Sequence, residues 1–444
     1  MFGTPLLDPL ASFALRRLFF PLSRLWAAAD EARGSADVFI EAAGISARAN
    51  RRDRLLAALE RFEQSRAAAD AVNAAWERMY FPERPGEIPL AAERVAMERA
   101  RLHLAHRHNL ARRHFRFLLG PSVPRVRLDI AAPEDIEASY GPALQDAAPC
   151  FAPPGNRPEV EVSRAVPTAE GRDYWVRFAS PSPRLGDMVY ARVYEPAGIK
   201  NPPTVIFGHG LCVEFDQWDG LVDEAVELCR LGLRVIRPEA PWHGRRRPRG
   251  YYGAERMIGS FPAGSLDLFT GAVREWAVLA DWARRNFPGP LGFGGASLGA
   301  LTAQLAASRA RDWPAELRPD ALLLITHCEQ LSRASLDGEL SRMWGSRSLW
   351  ESKGWDEELV GRYLGILDPG AAPTVRPDTI VTVLGRHDSV TPFAGGMRLI
   401  DAWQVPEENR FIWNRGHFSI PITLLHDHAP IERFAQVLRR APAA

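Results

Sequence analysis

A serine flanked by small residues is the first candidate for chemistry in this chain. Residues 295–299 read Gly-Ala-Ser-Leu-Gly, with Ser297 at the centre, between a short apolar run and a helical pattern. Small residues two positions to either side let a strand turn sharply into a helix, so that the serine side chain stands clear of the backbone. Such a serine can attack a carbonyl carbon if a base takes its proton. We expect Ser297 to be a nucleophile; an ordinary glycine-rich turn is the alternative.

The base that this serine needs is expected at His417. It follows an apolar run at 410–413 that is typical of a last strand, and Gly416 before it lets the loop bend toward the serine. Histidine can take and return a proton near neutral pH. The other histidines after the serine are His327, His387, His426 and His428. The last two lie in or at the start of the next predicted helix, and His387 adjoins the candidate acid, so His417 is preferred.

A carboxylate should orient the histidine, and Asp388 is the candidate. It ends a Gly-Arg-His-Asp sequence directly after a predicted strand at 379–384. With it, the order along the chain is nucleophile, acid and base: Ser297, Asp388 and His417. Asp388 could instead close an Asx turn or cap a helix, and Glu329, just beyond an earlier strand, is the alternative acid.

The loop at 208–212 (Gly-His-Gly-Leu-Cys) is the candidate oxyanion hole. It follows a predicted strand at 204–207, and its glycines let a backbone N–H face the substrate carbonyl. We expect the N–H groups of Leu211 and Leu298 to bind the negative charge that develops there. His209 organises this loop or borders the substrate pocket.

A second loop, 241–253, offers further pocket residues. It contains Pro-Trp-His-Gly-Arg-Arg-Arg-Pro and Gly-Tyr-Tyr-Gly after a predicted strand. Its His243, Tyr251 and Tyr252 are candidates for the rim of the substrate pocket. A surface loop rich in arginine is the alternative interpretation.

The elements that must position these residues alternate along the second part of the chain. A hairpin at 174–178 and 188–194 opens the pattern, and apolar runs typical of buried strands follow at 204–207, 235–237, 291–293, 321–325, 379–384 and 410–413. Helical patterns lie between or after them, at 215–231, 266–286, 298–309, 393–403 and 422–439. This alternation predicts an α/β fold, with a mostly parallel sheet covered by helices on both faces.

The sequence contains two further regions, one before this pattern of strands and helices and one within it. Residues 1–150 are predicted as an N-terminal helical region and linker, with a helical hairpin at 51–119, and residues 151–444 as the catalytic domain. An insertion at about 329–367 contains tryptophans, which either line an acyl pocket or belong to the core. Insertions at this place can form a lid over the substrate.

Composition excludes several classes of protein. The 55 basic and 54 acidic residues give a net charge of +1, so no overall field selects nucleic acid. The four cysteines form no CxxC pair, which argues against a zinc site or a disulfide framework and fits a reducing cytoplasm. Histidines cluster at 103–114, but no acidic residue lies between Glu98 and Asp129, so a basic solvated helix face is preferred over a metal site.

The N-terminal segment raises the question of membrane contact. Its apolar stretches are interrupted by Arg16, Arg17 and Arg24, so neither a signal peptide nor a transmembrane segment is predicted. Apolar residues near the first two arginines would allow an amphipathic helix on a membrane surface. The preferred interpretation is that this segment forms a helix that packs against the rest of the protein.

The motifs together resemble those of the α/β-hydrolases. A strand followed by a His-Gly loop, Gly-x-Ser-x-Gly, a strand followed by Gly-x-x-Asp and a late Gly-His occur in that order between about residues 159 and 440. Within the superfamily, the chain is similar to the esterase, lipase and dienelactone-hydrolase-like branches and, more loosely, to abhydrolase-18-like proteins. The resemblance covers under two thirds of the chain.

This resemblance implies a serine hydrolase that cleaves a carboxylic ester or a related acyl substrate through an acyl-enzyme on Ser297. Its substrate would be a small molecule, and no metal or organic cofactor is required. The alternatives are an acyltransferase, a hydrolase of amide, peptide or C–C bonds with the same three residues, and a non-catalytic scaffold with a hydrolase fold.

Overall fold

The computed structural model describes residues 7–46, 51–84, 86–218, 221–345, 347–370 and 372–441. The N-terminal helices are α1 (Leu7–Ala14), α2 (Phe20–Ala32), α3 (Ala36–Ala43), α4 (Arg52–Tyr80), α5 (Ala91–Leu110), α6 (Pro133–Tyr140) and α7 (Ala148–Phe151), with a π-helical turn at Leu15–Phe19 between the first two. The later helices are α8 (Glu224–Arg230), α9 (Glu255–Gly259), α10 (Ala263–Asn286), α11 (Leu298–Arg309), α12 (Leu331–Asp337), α13 (Glu339–Trp344), α14 (Arg347–Ser352), α15 (Glu357–Leu364), α16 (Phe393–Ala402), α17 (Ser419–Leu424) and α18 (Ala429–Arg440).

The strands of the described residues form one mixed sheet. They are β1 (Glu161–Val162), β2 (Val166–Pro167), β3 (Gly171–Ala179), β4 (Met188–Pro196), β5 (Thr204–Gly208), β6 (Arg234–Pro238), β7 (Leu291–Ala296), β8 (Ala321–Ile325), β9 (Ile380–Gly385) and β10 (Arg410–Trp413). Their order is β1-β3-β4-β6-β5-β7-β8-β9-β10, with β2 paired to β3. The pairs from β6 to β10 are parallel, whereas β3 and β4 join the sheet antiparallel.

Both faces of the parallel strands are buried, because successive residues point to opposite sides of the sheet. In β8, Leu322 and Leu324 belong to one apolar core, and Leu323 and Ile325 belong to another. Helices α10, α11 and α16 supply apolar side chains to the first core, and α8, α17 and α18 supply them to the second. The predicted α/β class with helices on both faces is confirmed.

The sheet order places a crevice at the carboxyl end of β5. This strand lies between β6 and β7, so the chain leaves β5 for one neighbour and later returns to its other side. Gly208 at the end of β5 is in register with Gly295 near the end of β7. A switch of this kind opens a crevice outside the carboxyl ends of the strands, where open α/β sheets bind their ligands.

The helix predicted at 215–231 is wrong in its first half. Helix α8 begins only at Glu224, because the Asp223 side chain accepts a hydrogen bond from the N–H of Ala225 at 3.0 Å and so caps the helix there. Farther upstream, Asp216 Oδ2 lies 2.6 Å from Nη1 of the buried Arg101 in α5. This ion pair between distant segments holds the chain in a loop instead of a helix.

The described part of the segment between β8 and β9 contains the short helices α12 to α15. Trp350, Trp355 and Tyr363 from this segment are buried in the first core. The Trp355 indole N–H donates to the carbonyl of Ala131 at 2.8 Å. These aromatic side chains are therefore core residues, whereas Leu340 of α13 contacts the crevice.

The N-terminal helices pack against the rest of the chain. Helix α2 is almost wholly buried, and Nη1 of its Arg24 lies 2.7 Å from Oε1 of Glu255, with neither side chain more than 1% exposed. Of the apolar residues considered for membrane contact, Phe20 is buried, Leu15 and Phe19 are half-buried and Leu18 is 47% exposed. Among the described residues, no helix combines the length and apolar character needed to cross a bilayer.

One histidine of the histidine-rich stretch in α5 packs against aromatic side chains. His108 lies between Trp26 and Phe62, with ring centroids 5.0 and 4.9 Å away, and burial lowers its pKa to about 3. It is thus a neutral core residue near pH 7. In the residues that the structure describes, no group of three or more His, Cys, Asp or Glu side chains is arranged to hold a metal ion.

Candidate active site

Ser297 lies in a strained turn between β7 and α11. Its backbone has φ 54° and ψ −114°, a conformation that residues with a side chain rarely adopt. The turn is tight: a Cβ on Gly299 would lie 2.1 Å from the carbonyl oxygen of Gly208, and one on Gly295 would lie 2.3 Å from the carbonyl carbon of Gly299. The small residues at 295 and 299 therefore let the turn approach β5, as the motif predicts.

The structure brings Ser297, His417 and Asp388 together in one chain of hydrogen bonds. The Ser297 hydroxyl donates to His417 Nε2 at 3.0 Å, and His417 Nδ1–H donates to Asp388 Oδ2 at 2.8 Å. The carboxylate side chain is 2% exposed and the imidazole 9% exposed. A serine joined to a histidine that is itself oriented by a buried carboxylate is an arrangement for activating a nucleophile.

Asp388 is held by its own loop as well as by the histidine. Its Oδ1 accepts the N–H groups of Val390 and Thr391 at 2.9 and 2.8 Å, and its Oδ2 accepts the Thr391 hydroxyl at 2.8 Å. The Asx turn that the sequence offered as an alternative therefore coexists with the contact to His417. Glu329, the other candidate acid, forms an ion pair with Arg398 instead.

The remaining histidines after Ser297 have other partners. His327 Nε2 lies 2.7 Å from the Thr382 hydroxyl in the core, where burial lowers its pKa to about 3. His387 contacts Asn414 with Nε2 and Oδ1 2.6 Å apart. The backbone N–H of His426 donates to a carbonyl one turn earlier, and His428 lies beside Glu227. Of the five histidines, His417 alone is hydrogen-bonded to the serine.

The loop after β5 lies against the start of α11. The N–H of Gly299 donates to the carbonyl of His209 at 2.9 Å, which fixes the loop next to the serine. Leu298 begins α11, where N–H groups lack intrahelical partners. The Leu211 N–H donates to no atom of the described residues. Both groups are thus available to a substrate oxygen, and their role as the oxyanion hole stays a prediction.

His209 and His243 act together to shape this loop. His209 Nδ1–H donates to the Gly210 carbonyl at 2.8 Å, and its Nε2 accepts the N–H of Ala240 at 3.1 Å. His243 Nε2 accepts the N–H of Cys212 at 3.1 Å, and the two imidazole centroids are 4.9 Å apart. Each ring accepts a backbone N–H, so both must be neutral to keep this arrangement.

Replacing His209 by glutamine is expected to flatten the pH dependence of stability. Burial lowers the His209 pKa to about 4, although its hydrogen bond to Gly210 acts in the opposite direction. The unfolded chain takes up this proton near pH 6.5, so wild type should lose about 2 kcal/mol of stability through this residue between pH 6.5 and pH 5. Glutamine does not titrate, yet its amide oxygen can accept the Ala240 N–H.

Urea unfolding of both proteins at pH 7 and pH 5 measures this difference. The free energy of unfolding should fall by about 2 kcal/mol more in wild type than in His209→Gln. An equal fall in the two proteins would contradict the assignment of His209 as a buried neutral histidine.

The cavity at the serine has a volume of about 290 Å³ and is mainly apolar. Its apolar wall contains Leu211, Val213, Phe215, Leu340, Phe418 and Ile422. Asp223, Glu224 and Arg237 form a polar patch, in which the first and third make an ion pair. Burial raises the pKa of the Glu224 carboxyl to about 7. Sequence reasoning missed most of this wall, since no local motif connects α13, α17 and the loop before α8.

The structure brings His209 to this cavity but not the three other predicted pocket residues. His243 instead accepts the N–H of Cys212 and so holds the loop. The Tyr252 hydroxyl donates to the carbonyl of Arg125 at 2.8 Å within the buried contact to the N-terminal helices, and the Tyr251 ring lies 5.5 Å from the guanidinium of Arg127. The loop at 241–253 therefore connects the N-terminal region to the sheet instead of forming the cavity wall.

Comparisons with known proteins place the chain beside solved hydrolase structures at low identity. No protein-family model matches the chain, and no curated protein matches it in sequence. Acetyl xylan esterase 1 from Thermoanaerobacterium sp. JW/SL YS485 has a TM-score of 0.46 at 16% identity, over 70% of this chain and 96% of that one. A cold-adapted esterase from an Arctic intertidal metagenomic library has a TM-score of 0.41 at 16% identity, over 62% and 97%. S-formylglutathione hydrolase from Agrobacterium tumefaciens has a TM-score of 0.39 at 17% identity, over 63% and 99%.

The fold follows from the architecture itself. The sheet is mostly parallel with helices on both faces, and Ser297 stands on the turn from a central strand into a helix. Asp388 follows β9 and His417 follows β10, so that Ser297, Asp388 and His417, the predicted nucleophile, acid and base, come in this order after β7, β9 and β10. The chain therefore has the α/β-hydrolase fold.

Proposed function

We propose that the protein is a serine hydrolase that cleaves carboxylic esters of small molecules through an acyl-enzyme on Ser297. The observation that carries this proposal is the hydrogen-bond chain from Asp388 through His417 to Ser297, with the serine lining the cavity. A serine hydroxyl is a weak nucleophile by itself, and this chain supplies both the base and the group that orients the base.

In the first half of the reaction, His417 Nε2 takes the hydroxyl proton while Ser297 Oγ attacks the ester carbonyl carbon. The carbonyl oxygen becomes negatively charged, and we expect the N–H groups of Leu211 and Leu298 to bind it. The tetrahedral intermediate collapses when His417 returns the proton to the leaving alcohol. Asp388 keeps the Nδ1–H tautomer and stabilises the imidazolium while it lasts.

In the second half, water replaces the alcohol. His417 takes a proton from this water, which attacks the acyl-enzyme carbonyl, and then returns it to Ser297 Oγ as the acid is released. The same two N–H groups bind the second oxyanion. The reaction needs no group other than this chain, the ester and water.

The cavity favours short, neutral substrates. Its volume of about 290 Å³ is at the lower end of the roughly 300–1,000 Å³ usual for ligand pockets. Arg237 in its wall is already paired with Asp223. Because the described residues of the wall include no unpaired Arg or Lys side chain but do include the carboxyl of Glu224, anionic acyl groups should bind poorly.

A substrate panel tests this proposal. Neutral p-nitrophenyl esters from acetate to octanoate are compared with the hemisuccinate ester, a thioester and a peptide p-nitroanilide. We expect the highest kcat/KM for acetate or butyrate, a lower value for the hemisuccinate and an initial burst of p-nitrophenol from acyl-enzyme formation. Cleavage of the anilide but not of the esters would favour a peptidase, and turnover only with an added alcohol would favour an acyltransferase. No reaction with any substrate would favour the scaffold.

A further inference from the structure

The first helix of the chain contacts the loop that carries His417. Asp8 lies in the first turn of α1, and its two carboxylate oxygens have separate partners in that loop. Oδ1 accepts the N–H of Phe418 at 2.7 Å, and Oδ2 accepts the hydroxyl of Ser419 at 2.6 Å. These two residues directly follow the histidine, so a side chain about 400 residues away in sequence binds next to the base.

The contact also includes the residue before the histidine. A Cβ on Gly416 would lie 2.4 Å from Asp8 Cγ and 2.5 Å from its Oδ1. The Gly416 N–H donates to the Ser419 hydroxyl at 3.0 Å. Ser419 therefore bonds to the residue before His417, and Asp8 bonds to the two residues after it, so hydrogen bonds hold the loop on both sides of the histidine.

We propose that Asp8 is a positioning residue of the active site, and this inference rests on the proposed function. Hydrogen bonds to a carboxylate are stronger than those between neutral groups, and two of them fix the backbone on the C-terminal side of His417. Helix α17, which follows, has only six residues and β10 is the last strand in the sheet order. The loop is held by Ser419 and Thr423 of α17, and α1 adds a hydrogen bond to the backbone N–H directly after His417.

The expected consequence of losing this support is a slower chemical step. His417 Nε2 must stay within hydrogen-bond distance of Ser297 Oγ, and a displacement of 1 Å can reduce the rate about 10²-fold. Asp8 itself does not line the cavity, and it binds the backbone N–H of Phe418 while the Phe418 side chain lines the wall, so KM should change less than kcat. This role explains how the N-terminal helical region takes part in catalysis.

The first test measures Asp8→Ala and Asp8→Asn with a p-nitrophenyl ester, after active sites have been counted with a fluorophosphonate. We expect kcat per titrated site to fall by about 10- to 100-fold in Asp8→Ala, with KM within about twofold of wild type. Asp8→Asn should be intermediate, because its amide oxygen can still accept the Phe418 N–H. Asp37→Ala, in the exposed first turn of α3, is the matched control and should keep wild-type kcat.

The outcomes separate this inference from the proposed function. An inactive wild type would contradict the proposed function. An active wild type with unchanged kcat per titrated site in both Asp8 variants, and only fewer active molecules or a lower Tm, would show a merely structural role and overturn the inference.

A second test uses the close approach of Gly416 to the Asp8 carboxylate. Gly416→Ala should lower kcat by about 10-fold or more in wild type, because the new Cβ collides with the Asp8 carboxylate and displaces the loop. In the Asp8→Ala background the carboxylate is absent, so the same substitution should lower kcat by less than about twofold. Equal fold-losses in the two backgrounds would contradict a direct contact between α1 and this loop.

Discussion

Ser297→Ala is expected to reduce hydrolysis of p-nitrophenyl butyrate by at least about 10³-fold in kcat/KM, because it removes the atom that attacks the carbonyl. The remaining rate would reflect binding and the oxyanion N–H groups alone. The Ser297 hydroxyl is hydrogen-bonded to His417, and its loss leaves the side-chain methylene in place. Tm and circular dichroism should therefore stay close to those of wild type.

A matched serine controls for nonspecific effects. Ser352→Ala removes a hydroxyl from an exposed position at the end of α14, where it donates to the carbonyl of Leu349 at 2.7 Å. This variant should keep wild-type kcat/KM. Wild-type activity in a folded Ser297→Ala variant would contradict the assignment of the nucleophile.

The second large effect is expected for Asp388→Asn, with a loss of about 10³- to 10⁴-fold in kcat. The carboxylate accepts four hydrogen bonds, from His417, from the Thr391 hydroxyl and from two backbone N–H groups. An asparagine has one oxygen to accept them and an NH₂ group that must face a donor. If that group faces the imidazole, His417 takes the tautomer in which Nε2 carries the proton and cannot act as a base.

Glu329→Gln is the control for this prediction, since Glu329 was the alternative acid and it contacts Arg398 away from His417. Its kcat should lie within about twofold of wild type, as expected for a surface ion pair. Steady-state kinetics of both variants with one ester decides between the two acids. A large loss in Glu329→Gln together with a small one in Asp388→Asn would contradict the acid assignment.

Much of the sheet was predictable because buried parallel strands are short apolar runs between turn residues. The run at 321–325 coincides with β8, and the run at 204–207 falls one residue short of β5. Helix boundaries were less predictable where tertiary contacts compete with helical spacing. The predicted helix at 422–439 is two helices, α17 and α18, and Pro430 lies in the first turn of the second.

The proximity of Ser297, Asp388 and His417 could be predicted because each belongs to a short motif at the carboxyl end of a strand. The carboxyl ends of parallel strands meet at one edge of a sheet. The pocket could not be predicted in this way. Phe215, Leu340 and Ile422 reach the cavity from three segments that are far apart in sequence. Their local sequences contain no sign of the contact, because it is set by how those segments pack on the sheet.

The contact of Asp8 with the histidine loop has the same origin. An aspartate in the first turn of a helix is common, because it interacts favourably with the helix dipole. Nothing in the residues around it indicates that it also accepts hydrogen bonds from Phe418 and Ser419. Only the contact between α1 and the loop after β10 reveals it.

The most direct test of the central claim is mass spectrometry of the protein after reaction with a fluorophosphonate, which bonds quickly only to an activated serine. We predict one adduct per molecule, located on the peptide that contains Ser297, and at least about 10²-fold slower labelling in His417→Ala. Absence of an adduct on Ser297, or labelling of Ser297 at the same rate without His417, would contradict the account.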